Sequence, residues 1–369
     1  MRVAVCGGGR GGLSMAADLT FAGHEVSLFQ VPEYGDTIKP IFAQGGIQIT
    51  GATFSGKTGV VMPKRVTTDA KEAVSDAEIV MIAVPANGHE AFFRAIGPHL
   101  CDGQVVVVNT GYWASLRFLP LLERLGKNVI IAETELLVYL CRVVGPGQVH
   151  VDATKREVNV AAMPAKLNET VLSALRKLYP QFKAADSILE INFYNLNPFV
   201  HTPIALLNTG RIEGLGGAPY PFYREGATER VCRVIEEVDR EKLAVAEALG
   251  IKVESVLERI IGMYGHVGAR GQSVYEAFKT DRAAQEFVFD PAVSTFYIAE
   301  EDIPFGLIPI VSLGEQLGVE AGVIRSLVLL AGLINGKDYW AEGATAERLG
   351  LAGMTAKEIV EYVRVGRKG

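Results

Sequence analysis

Gly7, Gly9 and Gly12 sit on a GxGxxG spacing within CGGGRGG, near the start of the chain. That spacing serves the holding of a pyrophosphate. One glycine permits a tight turn, one lets backbone approach the phosphates, and one allows a helix to pack closely on a strand. Arg10 and Gly11 share the loop. A helix opening there turns free N–H groups and the positive end of its dipole toward the phosphates. A second set of reactive side chains falls in NLNPFVHTPIALLNTGRIEG, residues 195–214. The imidazole of His201 gives and takes a proton near neutral pH, as hydride transfer to a C=N or C=O carbon requires. Asn208, Thr209 and Arg211 add an amide, a hydroxyl and a guanidinium, the last able to fork onto a carboxylate. An arbitrary histidine is more often a packing residue; these polar neighbours bring proton transfer level with that reading.

These residues need elements to position them. Residues 1–6 read as an apolar strand, 13–21 as a helix and 25–29 as a second strand, the setting a dinucleotide-binding fingerprint requires. An NAD-specific fold usually ends that second strand on Asp or Glu, whereas Phe29, Gln30 and Val31 stand here, with Glu33 three residues past Gln30. With no carboxylate to repel a 2′-phosphate, and with Arg10 in the loop, the cofactor is NADP or NAD with a slight lean to NADP. GATFSGKT, residues 51–58, satisfies the P-loop pattern, but Gly59 and the extended run Val60, Val61, Met62, Pro63 follow where a helix is required. The segment reads instead as two strands joined by a turn.

Strand and helix then alternate: helix at 68–74, strand at 79–84, helix at 88–96, strands at 104–109 and 129–133. These all-apolar runs fit a parallel sheet covered on both faces. Ligands of such sheets lie beyond the carboxyl ends of the strands, so Val84 and Pro85 join the cofactor candidates, beside loops at 110–112 and 134–135. Residues 158–163 and 171–179 close the first domain. Helical periodicity then prevails, at 231–249, 253–263, 273–284, 307–317, 321–335 and 355–363. A helix from Pro198 would place His201 and Asn208 on one face. The expected fold is a Rossmann-type doubly wound α/β domain, residues 1–188, followed by an all-α substrate domain, residues 189–369, with the catalytic cleft between them.

Composition agrees. The 369 residues suffice for two domains, and 49% hydrophobic against 21% charged residues allows a large core and excludes a disordered chain. A formal charge of −6 with no basic stripe argues against a nucleic-acid partner. Cys6, Cys101, Cys141 and Cys232 are far apart, so the pattern suggests neither a zinc site nor a disulfide framework, and a reduced, cytoplasmic setting is the default. No apolar run has membrane-spanning length, and the N-terminal one is too short for a signal sequence. The apolar character of helices such as 327–334 suggests a homodimer.

The chain resembles the octopine/nopaline (opine) dehydrogenase family. The likeness rests on CGGGRGGLSMAADLTFAGHEV, VPANGHEAFF, GPHLCDGQVVVVNTG and AETELLVYLCR, and above all on HTPIALLNTGRIE and EEDIPFGLIPIVSLGEQLG. It implies that His201 is a general acid/base and that Asp302 orients and polarises it, although Glu300-Glu301-Asp302 by itself looks like a solvated turn. It implies a reaction: an amino acid condenses with a 2-oxo acid, and the nicotinamide reduces the imine without need of a metal. Asn208, Thr209 or Arg211 would grip substrate carboxylates. The family pattern has an arginine a few residues before the aspartate, where this chain reads Ser294-Thr295-Phe296-Tyr297-Ile298-Ala299; Arg211, Arg270 or Arg282 are the possible substitutes. A ketopantoate reductase or glycerol-3-phosphate dehydrogenase would use a lysine, and Lys166, Lys242 and Lys279 lie in no convincing motif. A nicotinamide-binding sensor without turnover is the alternative of another class.

Overall fold

The computed structural model describes residues 1–288 and 298–366. They form two compact units, Met1–Ile191 together with Val363–Gly366, and Asn192–Tyr362.

The first unit is built on an eight-stranded sheet. Its strands are β1 (Arg2–Cys6), β2 (Glu25–Phe29), β5 (Arg65–Thr67), β6 (Ile79–Ile82), β7 (Val105–Asn109), β8 (Ile130–Thr134), β11 (Val158–Met163) and β12 (Phe182–Ala184), in the order β12-β11-β8-β7-β6-β1-β2-β5. From β5 through β8 all pairs are parallel. The order reverses between β1 and β6, the switch point beyond which a dinucleotide binds in such sheets. The sheet is not parallel throughout, as the apolar runs suggested: β11 pairs antiparallel with β8, Val160 opposite Thr134, and β12 runs parallel to β11. Burial on both faces makes either direction read as a continuous apolar run, so sequence alone could not separate them.

A second sheet, absent from the sequence reading except for its first hairpin, has the order β4-β3-β10-β9. It comprises β3 (Ile47–Gly51), β4 (Gly59–Val61), β9 (Tyr139–Gly145) and β10 (Gln148–Thr154). It covers the helix Arg10–Phe21, whose residues Gly11 through Leu19 are all buried. Ile47, Ile49, Val149 and Val151 join Leu13, Met15 and Leu19 in one core. The P-loop lookalike is the β3–β4 turn. Its amides at Phe54 and Ser55 donate to the buried carboxylate of Asp18 at 2.8 and 3.0 Å, and Lys57 Nζ donates to Phe21 O at 2.9 Å. The lysine thus serves a helix C-terminus, where the dipole favours a cation.

The second unit is helical. Its longest helix, Glu229–Leu249, starts on the Thr228 side chain and ends on Gly250 in a left-handed conformation, φ +74°. The helix expected at 273–284 is two, Val274–Thr280 and Arg282–Glu286, because Asp281 is extended and its carboxylate caps the second through the amides of Ala283 and Ala284. The helix bearing His201 runs Asn197–Leu207 and stops there. Asn208 leaves helical geometry (φ −117°) and a short helix, Thr209–Gly214, follows. His201 and Asn208 therefore do not share one continuous helical face. No helix among the described residues is long and apolar enough to cross a membrane.

Candidate active site

The glycine loop meets the requirements of a dinucleotide site one residue at a time. The helix begins at Arg10, three residues earlier than its apolar period suggests, with Gly9 as N-cap and no side chain capping it. Gly7 has φ +123°, and a Cβ there would lie 2.6 Å from Ala83 O and 2.7 Å from Val84 Cγ1. A Cβ on Gly12 would lie 1.9 Å from Gly7 O, and one on Gly11 3.0 Å from Leu137 Cδ1. At Gly9 a Cβ would meet nothing within 4 Å. Strand, turn and helix are thus packed to backbone contact, and the open side of the loop lies at Gly9, over an uncapped helix start. This suits a pyrophosphate. Val84 and Pro85, half-buried, follow β6 beside Gly7. Gln30 is buried: its Nε2 donates to Thr37 Oγ1 at 3.0 Å and its Oε1 accepts from Val31 N.

In the second unit the structure brings together two residues 101 positions apart. His201 Nδ1 lies 3.0 Å from Asp302 Oδ2, with the carboxylate side chain only 2% exposed and the imidazole 18%. Asp302 belongs to a wide π-helical segment, Ile298–Leu307, which holds Pro304 and packs against the His201 helix. Such segments recur at functional sites. With Nδ1 occupied by the carboxylate, Nε2 is the ring nitrogen that faces other partners. Nε2 has a partner that the sequence reading did not single out: Tyr223 Oη at 3.1 Å. Tyr223 lies on a second π-helical turn, Phe222–Gly226, and its ring stacks on Phe278 at 5.0 Å. The edge of Phe222 meets the imidazole at 5.8 Å and 79°.

Among the described residues, no hydrogen bond joins the other candidates to His201. Asn208 Nδ2 donates to Ile204 O at 2.8 Å and to Gly226 O at 3.2 Å, and Thr209 Oγ1 to Ala205 O and Leu206 O. Arg211 pairs with Glu225 and lies over the Tyr220 ring at 5.8 Å. Arg282 Nε donates to Val267 O at 3.3 Å, and the backbone N–H of Arg270 to Thr280 Oγ1 at 3.0 Å. Residues 294–297, where the family arginine would be sought, lie outside the described residues.

Comparison with known proteins decides the family. Residues 184–335 match the alpha-helical domain of NAD/NADP octopine/nopaline dehydrogenases, and residues 2–110 match the coenzyme F420-dependent NADP oxidoreductases. The opine dehydrogenase of Arthrobacter sp. (strain 1C) is 33% identical over 358 residues, 96% of this chain and 97% of the relative. The chain belongs to the octopine/nopaline (opine) dehydrogenase family. As an opine dehydrogenase it is an NAD(P)-dependent oxidoreductase acting on a CH–NH bond. Its fold is that of an octopine dehydrogenase solved with NADH and agmatine (TM-score 0.78, 22% identity, 100% of this chain and 99% of the other). It is also that of a yersinopine dehydrogenase with NADP+ bound (TM-score 0.71, 15% identity, 99% and 98%). Of the three lysines weighed for a ketone reductase, two have other contacts and the third is exposed. Lys242 is fully buried, 2.6 Å from Asp239 and 5.4 Å from the Phe199 ring centroid, and burial pushes its ammonium pKa down. Lys279 Nζ donates to Arg224 O at 2.8 Å, and Lys166 is exposed.

Proposed function

We propose that the chain joins an amino acid to a 2-oxo acid through an imine, with His201 as general acid/base and Asp302 as its positioning partner. The observation that carries this is the Asp302–His201 pair, in which a buried carboxylate holds Nδ1 and leaves Nε2 facing Tyr223 Oη. The bound nicotinamide supplies the hydride. His201 is the source of the proton needed by the oxygen that departs as water when the imine forms, and its destination in the reverse direction. Asp302 keeps the ring oriented and lies against the positive charge of the imidazolium. Gly7, Gly9, Gly11 and Gly12 hold the pyrophosphate, with Arg10, Gln30, Val84 and Pro85 around it. Of Asn208, Thr209 and Arg211, the arginine is the carboxylate grip. A guanidinium has five donors and keeps several beyond the one on Glu225, whereas the amide and hydroxyl protons of the other two go to backbone carbonyls.

NADPH is the preferred reductant on this reading, because β2 ends on Phe29 and Gln30 without a carboxylate, Glu33 is exposed, and Arg10 stands at the helix start. The test is oxidation of NADPH and NADH against a matrix of 2-oxo acids with and without amino acids. Turnover is expected only with both substrates present, and faster with NADPH. Oxidation with a 2-oxo acid alone would sink the imine reaction, and a faster rate with NADH would reverse the cofactor preference.

The protein works as a homodimer in the cytoplasm on the same reading. Four unpaired thiols, that of Cys101 exposed, suit a reducing compartment. On the helix Gly322–Asn335, Leu329 is 64% and Leu333 74% exposed, beside Leu330 and Ile334, and no charged residue occurs from Ser326 to Asn335. An exposed helical face without charge matches another apolar surface, and a second copy of the same stripe across a two-fold axis supplies one. Sedimentation should show a species of twice 39.7 kDa that Leu329→Glu with Leu333→Glu reduces to the monomer. A purely monomeric parent protein would reject the dimer.

A further inference from the structure

We propose that Tyr223 is the third member of the proton path, the group that passes the proton between His201 Nε2 and the substrate oxygen. The proposal rests on the acid/base reading of His201 and adds to it a residue that acts directly on the reacting atoms. Its first support is order along one hydrogen-bonded line: Asp302 Oδ2 to His201 Nδ1 at 3.0 Å, then His201 Nε2 to Tyr223 Oη at 3.1 Å. The Asp302 end of the line is buried, while His201 and Tyr223 are both half-buried. A phenol can donate and accept at once. With the neutral ring it donates to Nε2, and with the imidazolium it accepts from it.

Its second support is the way the turn Phe222–Gly226 is held. Three successive residues after Tyr223 are each tied to a different element. Arg224 O accepts from Lys279 Nζ, Glu225 pairs with Arg211, and Gly226 O accepts from Asn208 Nδ2. The phenol ring itself lies against Phe278 and, at 5.5 Å, Phe287. Asn208 closes the end of the His201 helix, so the imidazole and the turn carrying the phenol are fixed to each other by a side chain that belongs to neither ring. A π-helical turn anchored at three consecutive positions gives the hydroxyl a defined place, which a proton transfer over one hydrogen bond demands.

The step balances as a relay. The carbinolamine oxygen takes the phenol proton, its C–O bond breaks and water leaves with that electron pair, while the nitrogen lone pair forms the C=N bond of the iminium. The phenol oxygen takes the Nε2 proton in the same event. His201 ends neutral, with Nδ1–H on Asp302, and takes up a proton again before the next turnover. No oxidant or further reactant is needed, and the iminium carbon is then ready for reduction.

Tyr223→Phe tests this, because the ring and its stacking on Phe278 stay and only the hydroxyl goes. With saturating NADPH, kcat for reductive condensation is expected to fall by about 10²-fold, with NADPH affinity and melting temperature unchanged. The solvent deuterium isotope effect on kcat should rise and the effect of 4-deuterated NADPH should shrink, since the proton step becomes limiting. Parent-like turnover, a change in KM alone, or a loss of kcat with both isotope effects unmoved would each overturn the relay. Tyr223→Phe active beside an inactive His201→Ala removes only Tyr223 from the path. An active His201→Ala would remove the acid/base reading beneath it.

Discussion

Replacing His201 by alanine is expected to lower turnover by about 10²-fold or more, the usual contribution of a positioned acid/base, while NAD(P)H affinity stays within about twofold. The cofactor candidates Gly7 to Gly12, Gln30, Val84 and Pro85 all belong to the first unit, and His201 to the second, so its ring is not part of the loop proposed for the phosphates. Alanine also withdraws the hydrogen bond on Asp302, a carboxylate at 2% side-chain exposure, and some loss of thermal stability is expected from that alone. His201→Asn separates the two effects. Its amide can still donate to Asp302 but carries no titratable nitrogen, so it should restore the melting temperature and leave kcat low. Recovery of both by asparagine, or an equal loss of turnover and cofactor affinity in the alanine variant, would make His201 a structural residue.

How much of this was legible depends on how far each signal reaches along the chain. The first β-strand, the glycine loop and its helix are written within 30 residues, and local sterics dictate them. The false P-loop could be rejected locally too, because Gly59 and Pro63 deny it the helix it needs. His201 stood out by its polar neighbours. Asp302 did not, and the reason is geometric. In the wide π-helical segment, consecutive acids face different surroundings: Glu300 reaches Lys337 at 2.8 Å in a half-buried pair, whereas Asp302 is 1% exposed. Only the family resemblance pointed to it. Tyr223 was missed because a π-helical turn has no 3.6-residue period to read; the cluster Tyr220, Phe222, Tyr223 just past the His201 helix was the available signal. In β10, Val149 and Val151 are buried and His150 and Asp152 less so, a period of two that follows the turn Gly145-Pro146-Gly147 and could have been read. In β9 the exposed Arg142, Val143 and Val144 break the alternation, and pairing with β10 decides the strand instead.

The second large effect is expected at Gly12, where alanine should damage both stability and cofactor binding. Its Cβ would sit 1.9 Å from Gly7 O and 2.8 Å from Gly7 C, both backbone atoms with no side chain to swing aside. Neither partner yields readily. Gly7 N is bonded to Phe29 O at 2.8 Å, and the helix carrying Gly12 is enclosed by two sheets. Overpacking of this kind costs about 1–3 kcal/mol, and a loop displaced by that much strain should raise the NAD(P)H dissociation constant by about 10- to 100-fold. Gly9→Ala is the informative companion. Gly9 has φ −90°, which alanine adopts without strain, and its Cβ would meet nothing within 4 Å. The melting temperature of Gly9→Ala should therefore match the parent, and any loss of affinity must come from collision with the cofactor in the open space above the helix start. Isothermal titration of both variants with NADPH and NADH decides the matter. Loss of binding in Gly9→Ala at unchanged stability places the pyrophosphate on that face of the loop, and full binding in Gly9→Ala would mean that the phosphates lie elsewhere.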